Sequence, residues 1–221
     1  MNPPVGPTGL RYCSGDGADL VWRVGVAGSF SDTRLTFSGL PGGNVDASFT
    51  RWAIAASLDR RLGDRWTLGG MLGSSLVGSL DAQGVSSSIS PGPLGALTAS
   101  FRPLDEGRVA PFVLLSGSVA AALAWTTPPA GGARSTITSY DVRLGVAAGK
   151  TIADVVTPYL VARAFGGPVV WSIAATDVTG TDAYHYQLGL GVAVRLGRVD
   201  VVAEGVPLGE RSAVVGIGLG L

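Results

Sequence analysis

The chain has 221 residues, of which 46% are hydrophobic and only 14% are charged, and its formal net charge at pH 7 is zero. Soluble domains carry about 25% charged residues, and a balanced charge offers no attraction for nucleic acid, so the composition disfavours an ordinary soluble domain and a nucleic-acid-binding protein. The mean hydropathy is +0.37, yet no run of about 18 apolar residues predicts a transmembrane helix.

The N-terminal residues 1–17 are rich in proline and glycine and predict a flexible segment, with the folded domain over residues 18–221. The start MNPPVGPTGLRYC has no basic stretch followed by an apolar one. It therefore predicts no signal peptide, and we interpret the chain as mature sequence. The single cysteine, Cys13, has no partner for an internal disulfide. One histidine and one cysteine do not supply a zinc site, and no cofactor is expected.

After residue 17, apolar residues alternate with small or polar ones, which predicts β-strands and no amphipathic helix. We predict about ten strands, with eight or twelve as alternatives. Their approximate ranges are 18–31, 46–60, 66–80, 94–102, 109–126, 136–150, 158–172, 183–196, 199–206 and 211–221.

The connectors alternate between tight turns, such as LGDR, and longer loops rich in Gly, Ser, Thr and Pro. The predicted long loops are SGLPGGNV, DAQGVSSSISPGP, TPPAGGARS and TDVTGTD. Only PLGE at 207–210 breaks the rule by being short. Short turns at one end and long loops at the other are typical of an up-and-down barrel that spans a membrane.

The stretch YHYQLGLGVAVRLG, residues 184–197, indicates which face points outward. One face carries tyrosine, leucine and valine, and the other carries glycine, alanine and an arginine. A face in bulk water carries many Lys, Glu and Asp residues, so the small-residue face is better suited to an interior and the apolar face to lipid. A soluble barrel with its apolar face inside is the alternative. Backbone groups in hydrocarbon must all be paired, so the sheet is predicted to close.

Eight charged residues within the predicted strands fall on the small-residue face. They are Arg23, Arg51, Asp141, Arg143, Arg163, Arg195, Asp200 and Glu204. A charged constriction that selects solutes, with a mild preference for anions, is one interpretation. The other, which we favour, is a set of buried counter-ions, because opposite charges on neighbouring strands pair with one another. Arg195 is expected directly opposite Asp200.

Aromatic residues on the apolar face predict two interfacial girdles. Trp22, Trp66 and Phe101 lie near the tight-turn ends; Trp125, Tyr140, Tyr184 and Tyr186 lie near the long-loop ends. Phe112 and Tyr159 fall out of phase, which predicts either a bulge or side chains that fill the interior.

The only histidine, His185, and its neighbour Gln187 are predicted on the interior face at the long-loop mouth. A catalytic base at the outer mouth is one interpretation of His185, and a polar interior residue is the other. Catalysis requires partners with defined roles. The sequence pairs none with His185, so an enzyme is disfavoured.

The last strand, SAVVGIGLGL, alternates apolar residues with glycines up to Leu221. With this pattern, residues 18–221 resemble a small bacterial outer-membrane β-barrel. The resemblance implies a closed antiparallel barrel in a Gram-negative outer membrane, surrounded by lipid. It also implies recognition of the terminal strand by the barrel-assembly machinery. Such strands usually end in an aromatic residue, and this chain ends in leucine.

We therefore expect an integral, non-enzymatic barrel with a structural or surface-interaction role. A narrow passive pore is the alternative, and a barrel enzyme acting at the outer mouth is third. The loops, chiefly residues 81–93, are expected to hold the function and to contact an unidentified surface or periplasmic protein. Residues 1–17 are a candidate plug for the interior.

Overall fold

The computed structural model describes residues 21–40, 43–128, 134–173 and 176–221, and these ranges are all-β. They contain no helix long and apolar enough to cross a membrane. Thirteen antiparallel strands form one sheet. The strands are β1 Trp22–Leu40, β2 Gly43–Leu62, β3 Trp66–Ala82, β4 Val85–Ser90, β5 Gly92–Leu104, β6 Phe112–Thr127, β7 Ser135–Gly149, β8 Val156–Gly166, β9 Pro168–Ile173, β10 Thr176–Asp182, β11 Tyr186–Leu196, β12 Val199–Gly209 and β13 Arg211–Gly220.

The sheet closes into a ring because the first strand pairs with the last. Strand β1 pairs with β13 from Arg23 opposite Gly220 to Asp32 opposite Arg211, and with β2 on its other side. Each other strand pairs with neighbours on both sides. A closed ring has no edge along which backbone donors and acceptors remain unpaired, as a hydrocarbon environment requires.

At three places in the ring, two consecutive strands lie end to end and together occupy the position of one long strand. Strands β4 and β5 both pair with β3 and β6, and Pro91, which has no N–H to donate, separates them. Strands β8 and β9 both pair with β7 and are separated by Gly167. Residues 183–185 separate β10 from β11. The predicted number of about ten strands is not confirmed, because these breaks give thirteen.

The β12–β13 hairpin is shorter than its neighbours and ends inside the wall. At its tip, the Glu210 N–H donates to the Tyr186 carbonyl at 3.3 Å, and beyond the tip the Ala183 N–H donates to the Arg34 carbonyl at 2.8 Å. From there β10 pairs directly with β1, with Leu35 opposite Asp182. The hairpin tip explains the short connector at 207–210, which would otherwise break the alternation of turns and loops.

The level of this tip divides the barrel into two halves. The turn-side half carries the tight turns at 63–65, 150–155 and 197–198. The loop-side half lies beyond the tip and contains the far ends of β1, β2, β3, β6 and β7 together with β4, β9 and β10.

The two halves have opposite polarity along the same strands. In the turn-side half of β2, Trp52 and Ile54 face outward and are 55% and 45% exposed. In the loop-side half of β2, the outward positions are the exposed Asn44 and Asp46, and Phe49 is buried inside. The interior of the loop-side half is an apolar core. Its fully buried members are Leu35, Phe37, Phe49, Leu80, Ile137 and Val169.

Three of the predicted long loops are wrong, because their residues form strands. Residues 81–93 contain the end of β3, a two-residue turn and β4. The turn residues Gln83 and Gly84 both have positive φ angles, 51° and 79°, as a tight hairpin turn requires. Residues 176–182 are β10, and β1 and β2 extend into 38–45. Their polar outward residues resemble loop composition, yet the alternation continues through them. Most of the fourth, TPPAGGARS at 127–135, lies outside the described residues.

Candidate functional site

All eight predicted interior charges lie on positions that face the inside of the ring, as their alternation with exposed apolar neighbours shows. Arg51, Asp141 and Glu204 are among the most deeply buried, at 1%, 4% and 4% exposure. Seven of the eight belong to three groups, stacked from the turn end towards the loop end, and the eighth, Arg51, lies over the Phe49 ring at 6.0 Å from its centroid.

The group nearest the turns is centred on Arg23. Its guanidinium donates to Asp200 at 2.6 Å and to Asp59 at 3.2 Å. It lies against Gly218, where an added Cβ would be 2.5 Å from the Arg23 Nε. The glycine thus makes room for a charged side chain, which is one reason for glycine on the inner face. Arg195 lies opposite Asp200, as the sequence predicts. Asp59 was not predicted, because it lies at a strand end in a charged run.

The middle group is the pair Arg163 and Glu204. Two hydrogen bonds of 2.6 and 2.9 Å join the guanidinium to the two carboxylate oxygens, the bidentate geometry that makes such pairs strong. The Tyr159 hydroxyl also donates to Glu204, at 3.2 Å, and the tyrosine ring lies against Gly191. Tyr159 and Phe112 both belong to a buried cluster, so both fill the interior.

The third group lies at the level of the hairpin tip. Arg143 donates to Asp141 at 2.9 Å and to Gln187 at 3.1 Å. Glu210 accepts from Gln187 at 3.3 Å and from Thr33 at 2.5 Å. Glu210 is 1% exposed. The sequence does not predict the burial of Glu210, because residues 207–210 are predicted to be a connector. The unusual shortness of that connector is the only sign in the sequence that Glu210 lies inside the wall.

Above this group lies the loop-side apolar core. The Trp171 ring packs against Phe37 with 5.5 Å between centroids, and its indole N–H donates to Thr126 at 3.1 Å. The described interior of the turn-side half is therefore occupied by charged groups and the cluster around Phe112, and that of the loop-side half by the apolar core.

His185 does not lie on the interior face, and the prediction that it does is wrong. Its side chain is exposed, and its Nδ1 is 3.7 Å from the position of a Cβ on Gly166. The break at 183–185 changes the alternation between β10 and β11, so His185 and Gln187 do not share a face, and Gln187 alone is buried inside. Among the described residues, no group of three or more His, Cys, Asp or Glu side chains has a geometry that could hold a metal ion.

The predicted aromatic girdles all lie on the outer surface, in two bands. At the turn side, the Trp66 and Phe101 rings are 4.8 Å apart. The loop-side band also includes Phe30 and Trp52, 5.1 Å apart, which the sequence analysis did not assign to it. On β1 the stretch from Trp22 in one band to Phe30 in the other is nine residues long, close to the 9–11 residues with which a tilted strand spans a bilayer.

The outer membrane protease OmpT from Escherichia coli has the same architecture, with a TM-score of 0.61 and 9% sequence identity over 92% of this chain and 97% of OmpT. The chain has the fold of an outer-membrane β-barrel. No protein-family model and no curated protein matches it.

Other similar structures belong to the same class. The translocator domain of the autotransporter NalP from Neisseria meningitidis has a TM-score of 0.49 at 16% identity, covering 92% of this chain and 91% of that domain. The COG4313 outer membrane channel from Pseudomonas putida F1 has a TM-score of 0.41 at 11% identity, covering 100% of both chains. The likeness to OmpT, at 9% identity, shows the fold alone and does not assign an activity.

Proposed function

We propose that the protein is an integral outer-membrane barrel that neither conducts solutes nor catalyses a reaction, and that it anchors a polar surface outside the membrane. The observation that carries this proposal is the loop-side apolar core, in which Phe37, Phe49 and Ile137 are fully buried. A passage through the barrel would have to pass this core, where polar solutes find no hydrogen-bond partner.

The polarity of the outer surface supports a membrane position. Between the two aromatic bands the outward residues are apolar, as lipid requires. Beyond the loop-side band the outward residues of β2 and β10 are polar, including Asp46, Thr179 and Thr181, as water requires. The loop-side half is thus proposed to project from the outer leaflet and to present the surface that contacts partners.

We further propose that the thirteen strands cross the membrane as ten spans, because each of the three broken pairs follows a single path along the wall. An even number of spans brings both chain ends to the turn side. Strand β13 would then be the segment that the barrel-assembly machinery recognises.

The interior charges support a structural role over a selective pore. Arg23, Arg143 and Arg163 each make an ion pair of 2.6–2.9 Å with an interior carboxylate. Paired charges satisfy one another and leave little field to attract a passing ion.

A non-catalytic role is supported by the position of His185. A general base acts on a nucleophile or water within hydrogen-bond reach and is oriented by a third group. His185 is exposed beside Gly166, whereas the carboxylates Asp141, Glu204 and Glu210 are buried inside.

The test is the current across a planar bilayer after insertion of the refolded protein. We expect no discrete steps for the wild type, and we expect steps for Phe37→Ala with Phe49→Ala, which empties part of the core. Phe30→Ala, on the outer face of the same strand as Phe37, is the matched control and should stay silent. Steps from the wild type would contradict the proposal and favour a narrow pore, in which Arg163→Ala would change ion selectivity.

The predicted plug, residues 1–17, lies outside the described residues and remains a proposal. Its prolines resist regular structure, and it precedes β1, whose first residue, Trp22, lies at the turn side. If it contributes to the seal, deletion of residues 1–16 will raise the conductance of the Phe37→Ala, Phe49→Ala variant. An unchanged conductance would exclude this role.

A further inference from the structure

A groove of about 890 Å³ crosses the outer surface of β2, β3, β5 and β6. Such a volume is within the range of small-molecule sites, about 300–1,000 Å³. The groove is formed because leucines and glycines alternate across the strands. Gly70 lies opposite Leu97, and Leu72 lies opposite Gly95. Leu72 and Leu97 are 77% and 66% exposed, so they stand out as walls while the glycines form the floor.

The groove lies between the two aromatic bands, where the surrounding medium is lipid. Tyr140 lines its loop-side end. At its other end, β2 continues on the same face from Leu58 to Arg60, and the turn that follows carries Arg65. Both arginines are exposed.

These arginines form a cationic end to an apolar groove. The Arg60 guanidinium lies over the Trp22 ring, 5.0 Å from its centroid, in the turn-side aromatic band. The nearby carboxylates are already paired, Asp64 with Arg61 at 3.5 Å and Asp105 with Arg102 at 2.8 Å. An outward-facing arginine at the membrane boundary directs its charge to the headgroup region, and its planar donors match a phosphate.

We propose that this face of the barrel binds one anionic phospholipid, with an acyl chain in the groove over Gly70 and Gly95 and the phosphate against Arg60 and Arg65. The inference rests on the proposed membrane position, because that position makes phospholipid of the turn-side leaflet the molecule that meets the groove. The acyl chain packs against the exposed side chains of Leu72 and Leu97, which lie beside these glycines, and the arginines select for negative charge.

A second copy of the chain fits this surface less well. A two-fold contact brings the same patch of both copies together, so the Arg60 side chains of the two copies would approach one another. Free inorganic phosphate would use the arginines but leave the groove empty.

The test measures bound lipid on the refolded full-length protein by native mass spectrometry, after reconstitution with phosphatidylglycerol or with phosphatidylcholine of the same acyl chains. We expect one retained phosphatidylglycerol per chain and at least fivefold less phosphatidylcholine. Arg60→Gln with Arg65→Gln should lower phosphatidylglycerol to the phosphatidylcholine level. Gly70→Leu should lower the retention of both lipids, and its Cβ meets only ordinary contacts, the nearest being Leu97 Cδ2 at 3.6 Å.

Two matched controls should retain lipid as the wild type does. Gly28→Leu changes a lipid-facing glycine outside the groove, with no atom nearer to its Cβ than 3.9 Å, and Arg198→Gln removes an exposed turn-side charge elsewhere on the ring. Equal retention of the two lipids, equal losses in the controls, or a dimer in place of bound lipid would overturn the inference. The heat-dependent gel shift of a folded barrel separates failure to fold from failure to bind. The bilayer current separately tests the proposal that the barrel does not conduct. A folded barrel that gives no current steps and retains no lipid would therefore contradict the lipid site and leave the proposed function standing.

Discussion

The turn-side and loop-side halves share five strands, β1, β2, β3, β6 and β7, yet the polarity of the inner and outer faces is reversed between them. In the turn-side half, β2 presents Trp52 and Ile54 outside and Asp59 inside. In the loop-side half it presents Asn44 and Asp46 outside and Phe49 inside. The backbone alternation is identical, so the difference lies only in which set of residues faces the medium.

The two halves also hold their interiors together by different forces. The turn-side interior depends on ion pairs such as Arg163 with Glu204, which are strong only while both partners are present. The loop-side interior depends on apolar burial, which is non-directional and proportional to area. A barrel wall can therefore reverse the polarity of its inner and outer faces along a single strand, with no change in secondary structure.

The largest effect should come from breaking the middle ion pair. Arg163→Ala leaves Glu204 buried without its cation, which costs about 3–5 kcal/mol of unfolding free energy. Guanidinium unfolding in lipid vesicles, followed by tryptophan fluorescence, measures this loss. The double variant Arg163→Met, Glu204→Leu should recover most of the stability. If it is as unstable as the single variant, the pair is not what stabilises this interior.

A smaller loss of unfolding free energy should follow when an arginine is placed on the outer face, and only in the turn-side half. Ala56→Arg, on the outer face of β2 midway between the two aromatic bands, places a cation against lipid and should lower the unfolding free energy by about 2–4 kcal/mol. Asn44→Arg, outward on the same strand in the loop-side half, should change it by less than about 0.5 kcal/mol. The same vesicle assay compares the two, and equal costs would show that both halves meet the same medium.

A further effect should come from filling the space that Gly218 leaves for Arg23. Gly218→Ala places a methyl group 2.5 Å from the Arg23 Nε and should cost about 1–3 kcal/mol through displacement of the guanidinium. Gly28→Ala is the matched control, since its Cβ meets nothing nearer than 3.9 Å. Equal stability of the two variants in chemical unfolding would mean that Arg23 moves without loss of its ion pairs.

The smallest effect should come from the turn at the tip of β3 and β4 in the loop-side half. Gly84 has a φ of 79°, so Gly84→Ala should cost about 1 kcal/mol through backbone strain alone. No atom lies within 4 Å of the Cβ position of Gly84, so the substitution strains the backbone and leaves the packing unchanged. Thermal unfolding monitored by circular dichroism checks it, with Ser86→Ala on the adjoining strand as control. A stabilised Gly84→Ala would contradict the assigned turn.

The sequence was sufficient to predict the turn-side half because lipid imposes a strict alternation there. The inward positions of Arg51, Arg143 and Glu204 and the outward positions of Trp22 and Tyr140 all follow from that pattern. The pairing of Arg195 with Asp200 also follows, since a two-residue turn fixes the register of a hairpin.

Part of the loop-side half, chiefly residues 81–93 and 176–182, was missed because its alternation has the opposite polarity. Residues 176–182, TDVTGTD, have the composition of a loop, and only the buried Val178 marks them as strand. At 183–185 the alternation of inward and outward residues is reversed, which moves His185 outward. Both this reversal and the burial of Glu210 depend on where the tip of the β12–β13 hairpin lies in the wall. That position is set by pairing between strands far apart in sequence, which local patterns do not report.

The junction of β1 with β13 joins the first and last strands of the described chain. Arg23 and Gly220 are adjacent in space but lie near the two ends of the described chain, so the last hydrogen bonds of the wall form only when nearly the whole polypeptide is present. Contacts this distant in sequence make folding slow. The loop-side part of β1 finds its partner earlier in the chain, in β10. A polypeptide that ends before β12 could therefore still pair the loop-side part of β1 with β10. The turn-side part of β1 would remain an open edge, because its partner β13 would be missing.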